Sequence, residues 1–388
     1  MKPSPTGIVM FHSVGVPAPV WSWSYLTVPW RLFDRQLAML RRFGYRSVFL
    51  DEYEEIARAG MVERERVVAL TFDDGYLDNW VYAAPILRRH GFVGTIFMCT
   101  DFIDPETSLR PQLDPDQPDE DVLPKAGFVS WPEMRSLEQS GVMRIESHAR
   151  THTWYPAGPE IVDFRHPEDS YYWMDWNTHP DQKSQYMNFV PMDEYWGAPV
   201  YEHKKSLESP RFYPDVRVEQ ALREFVRNKG VTFFTRPGWR DELHAVSAKL
   251  TKEYSNVGYE THTDFLNRVR SELRDSKIVL EQKLGKSVDF FCWPGGGYSQ
   301  EAFDLAAEYY VGTTVGSREQ LRHAGYDHLG CFRFSRIAPP GIYGKNGYRY
   351  LCPLTLPLFL EEVRSGNKLA RLVRGSAKVL AEMCEKLT

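Results

Sequence analysis

The sequence is poor in cysteine, in long apolar runs and in excess charge of either sign. Its five cysteines, Cys99, Cys292, Cys331, Cys352 and Cys384, are scattered, odd in number and never at a CxxC spacing. That excludes a disulfide framework and a cysteine-based zinc site, and it fits a reducing compartment. The apolar run near the C-terminus, Leu351 to Leu360, holds ten residues and two prolines, whereas a spanning helix needs about 20 apolar residues. The opening MKPSPTGIVMFHSV has too short an apolar core for a secretory signal, which needs roughly 7–15 residues. The expected location is therefore cytoplasmic. With 47 basic and 52 acidic residues the net charge is −5, so a nucleic-acid partner has no electrostatic support. There is no internal repeat and no low-complexity tract.

What is present is a folded α/β chain. Of 388 residues, 43% are hydrophobic and 14% aromatic, enough buried surface to offset chain entropy. Short apolar runs alternate with helical patterns. Ile8–Phe11, Val67–Phe72, Gly94–Cys99, Met143–Glu146 and Val288–Trp293 read as strands. Trp30–Phe43, Ala83–His90, Trp131–Ser140, Asp264–Leu284 and Glu301–Tyr310 read as helices. Such alternation means parallel strands with right-handed crossovers, and ligands of such folds bind at the strands' carboxyl ends. The polar clusters of this sequence fall there.

The first cluster is Thr71-Phe72-Asp73-Asp74-Gly75. Adjacent carboxylates raise each other's pKa unless a cation relieves them. The bland alternative is an Asp capping the following helix. The second is Ser147-His148-Ala149-Arg150-Thr151-His152. Its two histidines, at i and i+4, converge on one metal if the segment turns helically, and with one Asp they make a His2Asp site open to water. The alternative is a chance pair among the eleven histidines.

TFDDG, followed about seventy residues later by SHARTH, resembles the NodB-homology polysaccharide deacetylases (carbohydrate esterase family 4). Val9–Val14, Tyr25–Val28 and the stretch Phe291–Tyr298 (FCWPGGGY) extend the likeness over roughly 5–152 and 262–340. The resemblance implies a distorted (β/α) barrel of about seven parallel strands. It implies Asp73 as general base, with Asp74, His148 and His152 holding one divalent ion: zinc first, with cobalt, nickel and manganese as alternatives. It places an oxyanion-binding N–H at Gly295 or its neighbour. The implied reaction removes the acetyl group from an N-acetylated sugar in a polysaccharide, oligosaccharide or lipid-linked glycan. Competing readings are a deformylase or small-molecule amidohydrolase using the same metal, and an inactive carbohydrate-binding protein. A glycosidase using Asp73 and Asp74 leaves the histidines unexplained and needs carboxyls about 5 Å apart across a sugar.

Two departures stand out. Cys292 and Trp293 occupy the position where the family carries an Arg that tethers the base. The segment Cys331–Pro340, CFRFSRIAPP, lacks the family's last histidine. His12, ending the first strand, is the candidate general acid, with a supporting hydrogen-bonding role as its alternative. Arg336 is the candidate to orient Asp73, against an ordinary surface ion pair. His323 and His328 read as loop residues.

The organisation expected is residues 1–152 and 261–345 as two parts of the barrel, an insertion at 153–260, and a helical tail at 346–388. The insertion holds twelve aromatics between Trp154 and Tyr201, most expected in a small core and a few facing a glycan. It should cap the carboxyl face, with Trp154 and Tyr155 nearest the metal. Gly230–Arg240 reads as a further strand and turn. In the tail, Arg364, Lys368, Arg371, Arg374 and Lys378 oppose Leu369, Leu372, Val373, Val379 and Leu380. Such a helix docks on its own barrel or lies on an anionic membrane surface.

Overall fold

Val67–Phe72 is buried at all six positions, as a strand covered on both faces must be. The computed structural model describes residues 7–18, 23–62, 64–174, 192–315, 325–339, 353–365 and 368–373. Its strands begin with β1 (Ile8–Phe11), β2 (Val67–Phe72), β3 (Gly94–Met98) and β4 (Met143–Ser147). An antiparallel hairpin follows, β5 (Trp154–Phe164) with β6 (Pro199–Lys205). β7 (Phe290–Phe291), β8 (Gly312–Thr314) and β9 (Phe332–Phe334) complete the set that concerns us. Seven strands pair in parallel in the order β1-β2-β3-β4-β7-β8-β9. Beyond β9, Ile337 pairs in parallel with Val9. Met10 N–H donates to Ile337 O and Ile337 N–H to Ile8 O, each at 2.9 Å. The sheet thus curls until its last segment meets its first strand, the distorted barrel expected.

The helices behind the strands are α1 (Trp30–Arg42), α2 (Leu50–Arg58), α3 (Ala84–His90) and α4 (Trp131–Ser140). The insertion adds α5 (Val216–Lys229) and α6 (Trp239–Glu253); α7 (His262–Leu284) and α8 (Gln300–Ala307) return to the barrel. α1 buries Leu32, Phe33, Leu37 and Leu40 and turns Arg31, Arg35, Arg41 and Arg42 to solvent. α4 opens on a capping box between Ser130 and Glu133 and closes on Gly141, at φ 67°; these signals fix its ends where the sequence placed them.

Two local expectations fail. Val288–Trp293 is a strand only at Phe290–Phe291, because Cys292 O and Trp293 N–H turn to His148 and Thr314 instead of a ladder. Gly230–Arg240 is no strand: a 3-10 turn, Val231–Thr235, leads into α6. Gly230, at φ 75°, ends α5, and Phe233 folds back into a separate cluster with Phe164, Val218, Leu222, Val226, Trp239 and Leu243. The insertion thereby has a core of its own.

Near the C-terminus, α9 (Thr355–Ser365) puts Leu356 and Leu360 into the main barrel core. Its Glu361 accepts from Tyr45 Oη and Arg66 Nε, both at 3.0 Å. Residues 368–373 are helical, with Leu369, Leu372 and Val373 exposed. Arg374, Lys378, Val379 and Leu380, like His323, lie outside the described residues. No helix among the described residues is long and apolar enough to cross a membrane.

Candidate active site

Asp73 continues the β1–β2 ladder, its N–H donating to Phe11 O at 2.9 Å. The chain then turns sharply: Asp74 stands at φ 71° and Gly75 at φ 78°. A Cβ on Gly75 would lie 2.1 Å from Met98 Sδ, so only glycine fits. Left-handed backbone at a non-glycine residue costs about 1–3 kcal/mol, and such strain gathers at functional sites. The turn sends the two carboxylates to different partners.

Asp73 meets Arg336. Nη1 donates to Oδ1 at 2.6 Å and Nη2 to Oδ2 at 2.8 Å, a two-pronged clamp. Arg336 also donates to Thr71 Oγ1 at 3.2 Å and to Cys292 Sγ at 3.0 Å. Burial would raise the Asp73 carboxyl, but the Arg336 charge and hydrogen bonds, with His148 and His12 behind them, hold it below its ordinary value. Cys292 Sγ, 3.6 Å from Asp73 Oδ2, fills the space beside the clamp. His12 Nε2 lies 3.9 Å from Asp73 Oδ2, its side chain 17% exposed against 4% for Asp73. It sits at the rim, in ion-pair reach when protonated.

Asp74 meets the histidines. Its Oδ1 lies 3.2 Å from His148 Nε2 and 3.4 Å from His152 Nε2. Although Oδ1 is buried, it accepts no well-directed hydrogen bond. Two imidazole nitrogens facing one buried carboxylate oxygen suit a shared cation. His148 Nδ1 sits 2.8 Å from Cys292 O. A carbonyl only accepts, so Nδ1 carries a proton, and Nε2 is the ring atom turned toward Asp74, the orientation of a metal-binding imidazole. Burial would raise Asp74 too, yet His152, His148 and His12 hold it well below the carboxylate range.

The histidines do not converge by a helical turn. The segment after β4 is irregular, with Ala149 at φ 61° and His152 at φ 48°. Glu272 of α7 buckles it: Oε2 accepts the N–H groups of Arg150 and Thr151, each at 2.9 Å, and Oε1 accepts Thr151 Oγ1 at 2.5 Å. Nothing in the sequence reading pointed to Glu272, a buried acid on a long amphipathic helix. Cys99 was also given no role. With Asp74 and His148 it forms a set of donor atoms all within 4.8 Å, as do Asp73, His148 and Cys292. Cys99 Sγ, however, donates to His148 O at 3.1 Å, which a metal-binding thiolate cannot do. Gly295, at φ 58°, sits in the Pro294–Gly296 turn. Its neighbour Gly296 already donates its N–H to Trp293 O at 2.9 Å. A Cβ on Gly295 would come within 3.3 Å of Trp154 and Lys205, so the hairpin base borders this turn. The Trp154 and His152 rings are 4.9 Å apart.

Residues 61–185, which contain both TFDDG and SHARTH, match the family model described as polysaccharide deacetylase. "Putative polysaccharide deacetylase YxkH" of Bacillus subtilis (strain 168) is 28% identical over 151 residues, 39% of this chain and 44% of that protein. The poly-beta-1,6-N-acetyl-D-glucosamine N-deacetylase of Escherichia coli (strain K12) is 25% identical over 130 residues, 34% of this chain and 18% of that protein. The chain thus spans under half the length of these relatives. Among solved structures, a de-N-acetylase from Aggregatibacter actinomycetemcomitans aligns over 85% of this chain and 93% of its own, at 17% identity and a TM-score of 0.49. The likeness rests on the segment that carries Asp73, Asp74, His148 and His152, which is similar to the polysaccharide deacetylases.

Proposed function

We propose that the protein is a metal-dependent N-deacetylase of an N-acetylated glycan, with Asp74, His148 and His152 as ligands and Asp73 as general base. The observation that carries this reading is the Arg336 clamp on Asp73 beside an Asp74 carboxylate faced by the Nε2 atoms of His148 and His152. A carboxylate held below its ordinary pKa is ionised at neutral pH but is a weak base; a divalent cation held by Asp74, His148 and His152 would acidify the attacking water and polarise the acetamide carbonyl. Asp73 takes the proton of that attacking water. Arg336 keeps it ionised and fixes its orientation. The Gly295 N–H is the backbone donor assigned to the developing oxyanion. His12, at the rim, is assigned to protonate the departing amine.

Acetate release from N-acetylglucosamine oligomers by zinc-loaded protein tests the reading. Asp73→Asn should keep its metal and lose about 10²–10⁴ in turnover. Loss of metal in parallel would place Asp73 among the ligands and sink the division of roles. Acetate release and formate release, measured side by side, separate a deacetylase from a deformylase.

A further inference from the structure

The insertion holds a cleft of about 570 Å³, within the range of small-molecule sites. Trp154, Tyr155, Tyr195, Tyr201, His203 and Arg211 are among the residues that line it. The Trp154 indole belongs to two places at once. It walls the cleft, and it also touches His152 and borders Gly295. The cleft and the rim of the candidate active site thus share the Trp154 side chain.

Its cations are not alike. Arg165 is bound to Asp169 at 2.7 Å, and Arg223 pairs with Glu219 at 3.3 Å and Glu194 at 3.5 Å. The Arg211 guanidinium makes no ion pair within 4 Å among the described residues, although Glu260, which accepts its backbone N–H at 3.0 Å, lies near enough to feel its charge, and its buried Nε has no hydrogen-bond partner there. Its Cζ lies 4.5 Å from the centre of the Tyr155 ring and 5.0 Å from that of Tyr213. A buried donor without a partner costs about 1–3 kcal/mol, a cost that a ligand oxygen would remove. Fixed N–H donors beside aromatic rings match a pyranose, which offers acceptor oxygens at its edge and C–H groups on its face.

We propose that this cleft is a second sugar site, which takes residues of the same N-acetylated chain at a distance from the reacting acetamide. Arg211 is its principal donor, and Trp154 and Tyr195 are its walls. This rests on the deacetylase reading and narrows the substrate to a chain of several sugars rather than a single one.

The test uses the full chain carrying Asp73→Asn, zinc-loaded, titrated calorimetrically with N-acetylglucosamine oligomers of two to six units. Affinity should rise about tenfold or more along the series. Arg211→Ala and Tyr195→Ala, each in that background and each checked for native circular dichroism, should flatten the rise. A flat series in the parent, or the same rise in both variants, overturns the proposal. Acetate release by the unsubstituted enzyme separates the two readings. Equal kcat/KM for two and five units removes the second site and leaves the deacetylase standing. No release from any oligomer, with Arg211-dependent length discrimination intact, removes the deacetylase and leaves the site.

Discussion

The strand ends of the barrel and the insertion beside them solve opposite problems. At the strand ends the groups around Asp74 are tied down from several elements: Asp73 to Arg336, His148 to Cys292 O, and the 150–151 backbone to Glu272. The geometry is over-determined, and it tolerates three non-glycine residues with left-handed backbone. The insertion has its own small apolar cluster and a roomy cleft in which the Arg211 guanidinium lies over the Tyr155 ring. Rigid placement suits the reacting bond, where small displacements cost rate. A looser, aromatic-walled cleft suits sugar rings whose identity is read by shape.

The contrast can be broken at its strongest point. His148→Ala should abolish stoichiometric zinc retention and turnover together, read by metal analysis of the purified protein. Full metal content in that variant would remove His148 from the ligand set. A smaller effect is expected one layer out. Glu272→Ala frees the Arg150 and Thr151 N–H groups, and loss of such a supporting contact typically weakens metal affinity about 10–100-fold. Competition with a graded chelator series measures it, and an unchanged affinity would show that the loop holds its shape without the buckle.

The insertion should fail separately. Leu222 is fully buried in the Phe164–Trp239 cluster, and Leu→Ala at such sites costs about 2–5 kcal/mol. Leu222→Ala should speed hydrogen exchange through α5 and α6 while zinc affinity at the strand ends stays unchanged; a parallel loss of both would join the two regions into one cooperative unit.

The smallest effect concerns Asp78. Burial raises this carboxyl from its ordinary 3.8 to about 7, against hydrogen bonds from Ser13 Oγ and the Val14 and Asn79 N–H groups. The unfolded chain ionises near pH 4, and the folded chain keeps its proton until near pH 7. Folding then binds the extra proton, so stability falls as pH rises through that window and levels off above it. Asp78→Asn should flatten the fall by a few degrees of Tm, read by thermal melts between pH 4 and 8. An identical slope in both proteins would assign the pH dependence elsewhere.

Much of this was legible in the sequence, and what was not shares a cause. TFDDG and SHARTH announce themselves because strand, turn and ligands are contiguous, and the strands β1 and β2 and the helix α4 fell where apolar periodicity and caps put them. Trp154–Phe164 did not read as a strand, because WYPAGPEIVDF carries two prolines and a glycine; the strand survives through a bulged pairing with Pro199–Lys205. α5 and α6 were hidden in a stretch read only as aromatic-rich. Glu272 looked like any solvated acid on a helix. The helical turn expected to join His148 and His152 is replaced by two left-handed residues, a choice that no spacing encodes. Arg336 could be named as a candidate, but only ring closure brings it against a residue 263 positions away.

That closure has a consequence for the order of events. A ribosome delivers β1 and β2, with Asp73 and Asp74, long before Arg336 exists. Until Ile337 zips onto Val9, the carboxylate pair has no guanidinium to relieve it and the sheet keeps an open edge. Contacts so distant along the chain form late. Activity would then appear only at the final docking step, so that half-made chains carry both motifs but perform no chemistry.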